Sequence, residues 1–326
     1  MAGGQVFGVA SSVGNFSTDR LTKEVRRLGQ PMMRWRQFTR QESSFSSRQG
    51  DTLLFPKRLN LDADESTGAI VGERQPIPSA GYRTLQGSVV CQKSAIKIPY
   101  TMEAELYSEI DLDQQNREAL ADFMAKALNR RAFNAFNSTN VCYIPTGTDT
   151  VPTATWDVDG TPSTSATRDN QLFDLKEVVD ALKAGTYGAN ASAPVQPYDA
   201  GGNYQQIASV QAARALRDDD EWEEAARFGD PERLWAAEIG RIYMTRTVED
   251  NAILGLNNNK KGEAVIFGKD PVIEIIALRE EVRMEIPAEL GTDLAIGFCY
   301  LGGFKLTWDY NSTTEPDNRV VKITSS

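Results

Sequence analysis

DLDQQNREALADFMAKALNRRAFNAFN, residues 111–137, is the most regular run in the sequence. Asp111 followed by Gln114 has the form of a capping box, which satisfies the first free amides of a helix. Leu120, Phe123, Met124, Ala127 and Leu128 then recur at helical spacing. Arg130 and Arg131 sit toward the end where cations are favoured. The spacing predicts a helix of roughly 40 Å at 1.5 Å per residue. In a chain of 326 residues such a helix acts as a spine.

On the N-terminal side the pattern changes to strands. Thr52 to Phe55 is a strand candidate closed by Pro56, and Ser88 to Tyr100 another, with Ile96, Ile98 and Tyr100 alternating. Between them, residues 59–82 carry Gly68, Gly72, Pro76, Pro78 and Gly81 and no regular pattern. Two strands framing a long polar tip predict a protruding hairpin. Such an arm has little core of its own and needs a partner surface. Asp62, Asp64 and Glu65 lie in its tip, either as a solvated acidic loop or as an intersubunit salt-bridge surface. Further upstream, Leu21, Val25 and Leu28 share one helical face with Arg20, Arg26 and Arg27 around them, and Gly29 and Pro31 stop the helix. So short a helix is marginal alone and must lie on a surface.

On the C-terminal side, residues 143–169 are rich in Thr, Gly, Pro and Asp and read as a long loop. Leu172, Leu175, Val178, Val179 and Leu182 predict a second amphipathic helix ended by Gly185. Gly188 to Gly202 reads as a loop, Tyr204 to Val210 as a buried strand, and Gln211 to Arg217 as a short helix. Asp218 is expected to cap another helix through about Arg227. Strands are expected at Tyr243–Val248, Ala264–Phe267, Val272–Leu278, Ala295–Tyr300, Phe304–Tyr310 and Val320–Thr324. Trp222, Trp235 and Arg241 are read as packing anchors. The sum is an α+β fold.

Composition narrows the function. Lys and Arg number 35 against 45 Asp and Glu, a net charge of −10, which argues against a dedicated nucleic-acid binder. The charge is uneven: residues 1–40 hold a local +5, leaving −15 on the remainder. The chain has no histidine, the commonest general base and metal ligand. Its three cysteines, Cys91, Cys142 and Cys299, lack metal-site spacing and read as reduced thiols. No nucleotide-binding glycine motif or nucleophile elbow occurs. Gly255 to Gly262 encloses Lys260 and Lys261 but leads into a strand, so it reads as a tight loop rather than a phosphate cradle. The acidic run from Asp218 to Glu221 lacks the alternation of a calcium loop. No catalytic, cofactor-binding or metal-ligating residue is expected. No apolar run reaches about 18 residues, so no membrane helix is expected, and the N-terminus does not read as a signal peptide.

The order of parts, basic arm, hairpin, spine helix, α/β lobe and late strands, resembles the Hong Kong 97-type capsid fold of tailed phages. Five pieces sharpen this toward the N-four-type major capsid family: Gly50-Asp51-Thr52-Leu53-Leu54-Phe55, Glu73 with Pro76, Leu216-Arg217 followed by Glu221-Trp222, Glu238-Ile239-Gly240-Arg241-Ile242, and Val265-Ile266-Phe267-Gly268-Lys269-Asp270. Two stretches depart from the family pattern: Cys91 to Ala95, where a Tyr-Gly usually stands, and the Thr-rich residues 143–169.

The resemblance implies an N-terminal arm over 1–49, an extended loop over 50–100, a peripheral domain over 101–169 and about 301–326, and an axial domain over about 170–300. It implies a shell subunit forming hexamers and pentamers around a double-stranded DNA genome, in a virion assembled in the host bacterial cytoplasm. A separate scaffolding protein, a portal, a decoration protein and non-specifically packaged DNA are the implied partners, with no membrane. No self-cleavage is expected, because no long charged helical pro-segment precedes Gly50. Intersubunit contact is expected at Arg20, Leu21, Val25, Arg26, Arg27, Leu28, Asp62, Asp64, Glu65 and Glu73. The arm has two readings, on packaged DNA or across a subunit boundary. The second is preferred because Leu21, Val25 and Leu28 need an apolar surface that DNA does not offer. The competing functions are a bacterial nanocompartment shell, a cytoplasmic enzyme, or a DNA-binding module acting through the basic arm.

Overall fold

The computed structural model describes residues 33–42, 50–61, 73, 79, 81–108, 110–218, 238–252, 263–285, 292–311 and 315–324, with 238–242 described by their backbone alone. The expected spine is present as a helix at Leu112–Asn137, 26 residues or about 39 Å at the α-helical rise. The Asp111 side chain accepts the Gln114 amide at 2.9 Å, while the Gln114 side chain donates to Glu118 one turn on.

The two ends of this helix bury against different sheets. The first sheet has four strands in the order β1 (Thr39–Glu42), β13 (Val272–Met284), β14 (Asp293–Leu306) and β4 (Gln92–Thr101). Leu120 and Leu128 pack there on Ile276, Ile296, Phe298 and Tyr300. The second sheet has seven strands, in the order β10 (Glu238–Ile242), β11 (Thr245–Asp250), β9 (Tyr204–Ser209), β12 (Ala264–Phe267), β15 (Val320–Ile323), β5 (Cys142–Gly147) and β6 (Pro152–Asp157). Ala132, Phe133 and Phe136 of the helix meet Ile207, Val265, Phe267 and Val320 on one face of it. Helices α3 (Leu172–Ala184) and α4 (Val210–Arg217) cover the other face through Leu175, Val179, Ala212 and Leu216. Alternation explains the division, since Ala264 and Ile266 face α3 and α4 while Val265 and Phe267 face the spine. The spine, α2 in chain order, follows a short helix α1 (Met102–Tyr107). A small ladder of β7 (Thr186–Tyr187) and β8 (Asn190–Ala191) follows α3, which ends at Gly185 as expected.

Four expectations change. The run from Ser88 to Tyr100 is two strands: among the described residues β3 (Tyr82–Val90) pairs only with β2 (Thr52–Leu61), and after Cys91 the chain enters the four-stranded sheet as β4. Alternation carries across Cys91 because both pieces are half-buried, although the partner changes. Pro56 does not close its strand: it lies within β2 opposite Gln86, tolerable in a two-stranded ribbon where one side of each strand needs no donor. The strand expected at Ala295–Tyr300 and the start of the one expected at Phe304–Tyr310 are one strand, β14, running through Gly302 and Gly303 and ending at Leu306, so that residues 307–310 are not strand. A Cβ on Gly303 would lie 2.3 Å from the Val90 carbonyl oxygen, so the glycine lets the hairpin root cross the sheet closely. Finally, residues 143–169 are not one long loop, since β5 and β6 form a hairpin there, with the Thr146 and Thr153 hydroxyls 3.0 Å apart across it. Threonine is common in loops yet also suits a half-buried strand.

The sheets divide the chain differently from the sequence boundaries. Residues 142–157 and 320–323 join the sheet that holds β9, whereas residues 272–306 join the sheet beneath the first half of the spine.

Candidate assembly surfaces

The described part of the hairpin of β2 and β3 is held at its root. By alternation Leu53, Phe55 and Lys57 of β2 face the body. Leu53, Phe55 and Val89 pack on Ile273 and Ile275 of β13, the side of that sheet opposite the spine. The Phe55 ring lies across Gly87, its partner on β3, and a Cβ there would fall 2.3 Å from the ring.

Lys57 is the polar bolt of this root. It is buried, and its Nζ donates to both Glu315 carboxylate oxygens at 2.8 Å. The rings of Phe55 and Trp308 flank the ammonium at 5.5 and 5.2 Å. Glu315 belongs to the segment joining β14 to β15, so one ion pair ties the hairpin to the connection between the two sheets. Asp309 and Asp317 lie in the same segment, and burial holds both carboxyls above the usual carboxylate range.

Toward the N-terminus, the described end of the basic arm is bound within its own chain. Trp35 is fully buried between Phe133 and Phe136, its backbone amide donates to Asn129 Oδ1, and its indole donates to Asp250. The Arg36 guanidinium bridges Glu274 and Glu280, with its Nη1 2.6 Å from Glu280 Oε1. Burial opposes its charge, and the bonds to Glu280 and Glu274 more than offset that cost. Glu274 is fully buried and also accepts from Thr39, Gln41 and the Tyr300 hydroxyl. Arg40 reaches Asp270 at 3.3 Å. Of the residues expected at contacts, Arg20, Leu21, Val25, Arg26, Arg27, Leu28, Asp62, Asp64 and Glu65 lie outside the described residues, as do the anchors Trp222 and Trp235. Glu73 is exposed, and Arg241 lies on β10 opposite Arg246. Sequence reasoning missed Trp35, Lys57 and Glu274. A tryptophan between two arginines beside an acidic body was the signal available for the first.

One buried polar cluster has the residue types of a catalytic site. Arg168 and Asp174 form a buried ion pair, and the Tyr143 hydroxyl donates to Asp174 at 2.8 Å and to Glu177 at 2.6 Å. Burial first, and the two carboxylates next, push the Tyr143 phenol far above its ordinary pKa. Arg168 also donates to the carbonyls of Thr146, Thr153 and Asp169, and Asp174 accepts the Gln171 amide at the start of α3. The cluster staples the β5–β6 hairpin to α3, and every partner named is internal. Among the described residues no group of three His, Cys, Asp or Glu side chains is placed to hold a metal ion. None of the described helices is long and apolar enough to cross a membrane.

These groups fix a pH response. Asp309 and Asp317 have raised folded pKa values, so their burial costs stability at neutral pH and the cost is relieved as pH falls. Glu280 is held low by Arg36, and Asp113 by Arg117; their contribution is present above the unfolded carboxylate values of about 4 and is lost below them. With no histidine, no imidazole acquires charge in between. The melting temperature is therefore expected to be no lower at about pH 5 than at about pH 7, and to fall below about pH 4. Calorimetry across that range checks it; a loss between pH 7 and 5 would contradict this assignment.

No protein-family model and no curated protein matches the chain. Solved structures do. The capsid of Helicobacter pylori bacteriophage KHP30 superposes with a TM-score of 0.68 at 12% identity, over 99% of each chain. The capsid of cyanophage Pam1 gives 0.65 at 16% identity, over 98% of this chain and 99% of that one. The capsid of Ralstonia phage GP4 gives 0.63 at 12% identity, over 99% of each. The likeness covers nearly the whole chain, and the chain has the Hong Kong 97-type bacteriophage capsid fold.

Proposed function

We propose that this chain is a major capsid protein, the structural subunit of an icosahedral shell around a double-stranded DNA phage genome. The observation that carries this reading is a hairpin bolted to the body at its root while Leu54, Tyr82 and Val90 of its outer face stay exposed beside Arg58, Thr84 and Gln86. A monomer gains little from such an arm, whereas a lattice buries it. The end-to-end likeness to phage capsids supports the same reading.

In this reading the peripheral lobe is the spine with the four-stranded sheet, and the axial lobe is the seven-stranded sheet with α3 and α4. The hairpin is the extended loop that reaches a neighbouring subunit. The work is structural and no reaction is assigned. The shell would assemble in the host cytoplasm with a separate scaffolding protein and a portal. A decoration protein would bind outside, and packaged DNA would be held by non-specific contacts.

Shortening residues 62–80 tests it. Loop closure entropy varies slowly with length, so the variant should unfold within about 1 kcal/mol of the parent. Circular dichroism should match, and electron microscopy should find no stable shells. Normal shells from the shortened chain would show that the loop is not what joins subunits.

A further inference from the structure

Residues 35–42 of the arm touch both sheets and the spine. The Trp35 ring lies between Phe133 and Phe136 of the spine, and its indole donates at 3.2 Å to Asp250, the last residue of β11. The Phe38 ring packs 5.3 Å from that of Phe267 on β12. Both rings belong to the side of the seven-stranded sheet that faces the spine. Arg36 and the residues after Phe38 turn to the other sheet. Arg36 binds Glu274 and Glu280 of β13, and Thr39 to Glu42 pair in parallel with Val272 to Ile275 of the same strand. One short segment is thus tied to each sheet by separate bonds.

The segment runs beside the shorter of the two direct links between those sheets. Residues 268–271 join β12 to β13, and residues 307–319 join β14 to β15. The short link is strained: Asp270 has a φ of 50°, in the left-handed region, and Pro271 follows it. Such a conformation persists where its surroundings fix it. The Lys269 amide donates to the Gln196 carbonyl at 3.0 Å, Arg319 donates to the Lys269 carbonyl at 3.1 Å, and Arg40 of β1 reaches Asp270 at 3.3 Å. The spine also packs on both sheets, through Leu120 and Leu128 on one and Phe133 and Phe136 on the other. Those contacts are apolar and non-directional, whereas the charged hydrogen bonds of Arg36 fix a geometry.

We infer that residues 35–42 are a strap that locks the angle between the two sheets. With either end released, the sheets swing about residues 268–271 while each stays folded. A few linking residues that absorb such a change are a hinge, and the strap holds it closed. The strap acts within one chain, so it stands apart from the shell reading.

Spin labels at Lys93→Cys on β4 and Ala184→Cys at the end of α3 read the angle, with Cys91, Cys142 and Cys299 replaced by alanine in every protein compared. Both labelled positions are exposed, and each sits on the body of a different sheet. The parent should give one narrow distance peak. Arg36→Gln combined with Glu274→Gln frees the end on the four-stranded sheet and leaves no buried charge unpaired at position 274. Trp35→Ala frees the end on the spine and the seven-stranded sheet. Each release should broaden the peak, and Trp35→Phe should keep it narrow. The two releases combined should broaden it no further than the broader one alone, because a strap with one free end holds nothing. Hydrogen exchange within β9 and β12, and within β14 and β4, should stay at the parent's rate. A narrow peak in the Arg36 and Glu274 variant would overturn the strap, whether or not the alanine variant folds. So would broadening that comes with faster exchange through a whole sheet, or widths that add in the combined variant.

Discussion

Replacing Arg168 with methionine is expected to destabilise the fold by about 3–5 kcal/mol, the usual cost of breaking a buried pair from one side. Asp174 is fully buried, and the substitution leaves its charge with the Tyr143 hydroxyl and the Gln171 amide. It also strips donors from the Thr146 and Thr153 carbonyls at the turn end of the β5–β6 hairpin. Arg168→Lys keeps the charge but not the fork of donors, so it should lose less. Urea midpoints for the two variants check the order. If methionine were tolerated as well as lysine, the cluster would not be the staple described.

Trp35→Ala should cost a similar amount, about 3–5 kcal/mol, by emptying the space between Phe133 and Phe136. It also removes the indole donor from the buried Asp250 carboxylate. Unlike the Arg168 substitution, it acts on the arm. Residues 33–42 are held by Trp35 and by the Arg36 bridge, so the variant should expose Arg36 and Arg40 to trypsin well before global unfolding. Trp35→Phe, which keeps most of the volume, should protect them. Equal cleavage of the parent and the alanine variant would show that the arm is held elsewhere.

The arm bears on a choice left open by the sequence, between packaged DNA and an acidic protein surface. Where the arm is described, carboxylates of its own body take two of its arginines: Glu274 and Glu280 take Arg36, and Asp270 takes Arg40. These pairs lie within one chain, so both readings of the arm, packaged DNA or a subunit boundary, stay proposals. Arg20, Arg26 and Arg27 carry the same question for the first part of the arm.

What was legible in the sequence had strong local period. The spine, α3 with its closing glycine, and the apolar strands β9, β12 and β15 each announce themselves within a few residues. What was not legible depends on a partner far along the chain. Gly302 and Gly303 look like a break, yet Gly303 is small because Val90 crosses there. Pro56 looks like a stop, yet among the described residues β2 has a strand neighbour on one side only. Lys57 looks like any strand lysine until Glu315, 258 residues away, closes on it. Glu274 shows the same limit, since a carboxylate in the apolar run from Val272 to Ile276 is explained only by Arg36.

The most direct test of the account is electron microscopy of the purified full-length chain, concentrated under assembly conditions with and without a co-expressed scaffolding protein. The account predicts closed icosahedral shells in which the hairpin of each subunit lies on its neighbour. A stable compact monomer under every condition would contradict it.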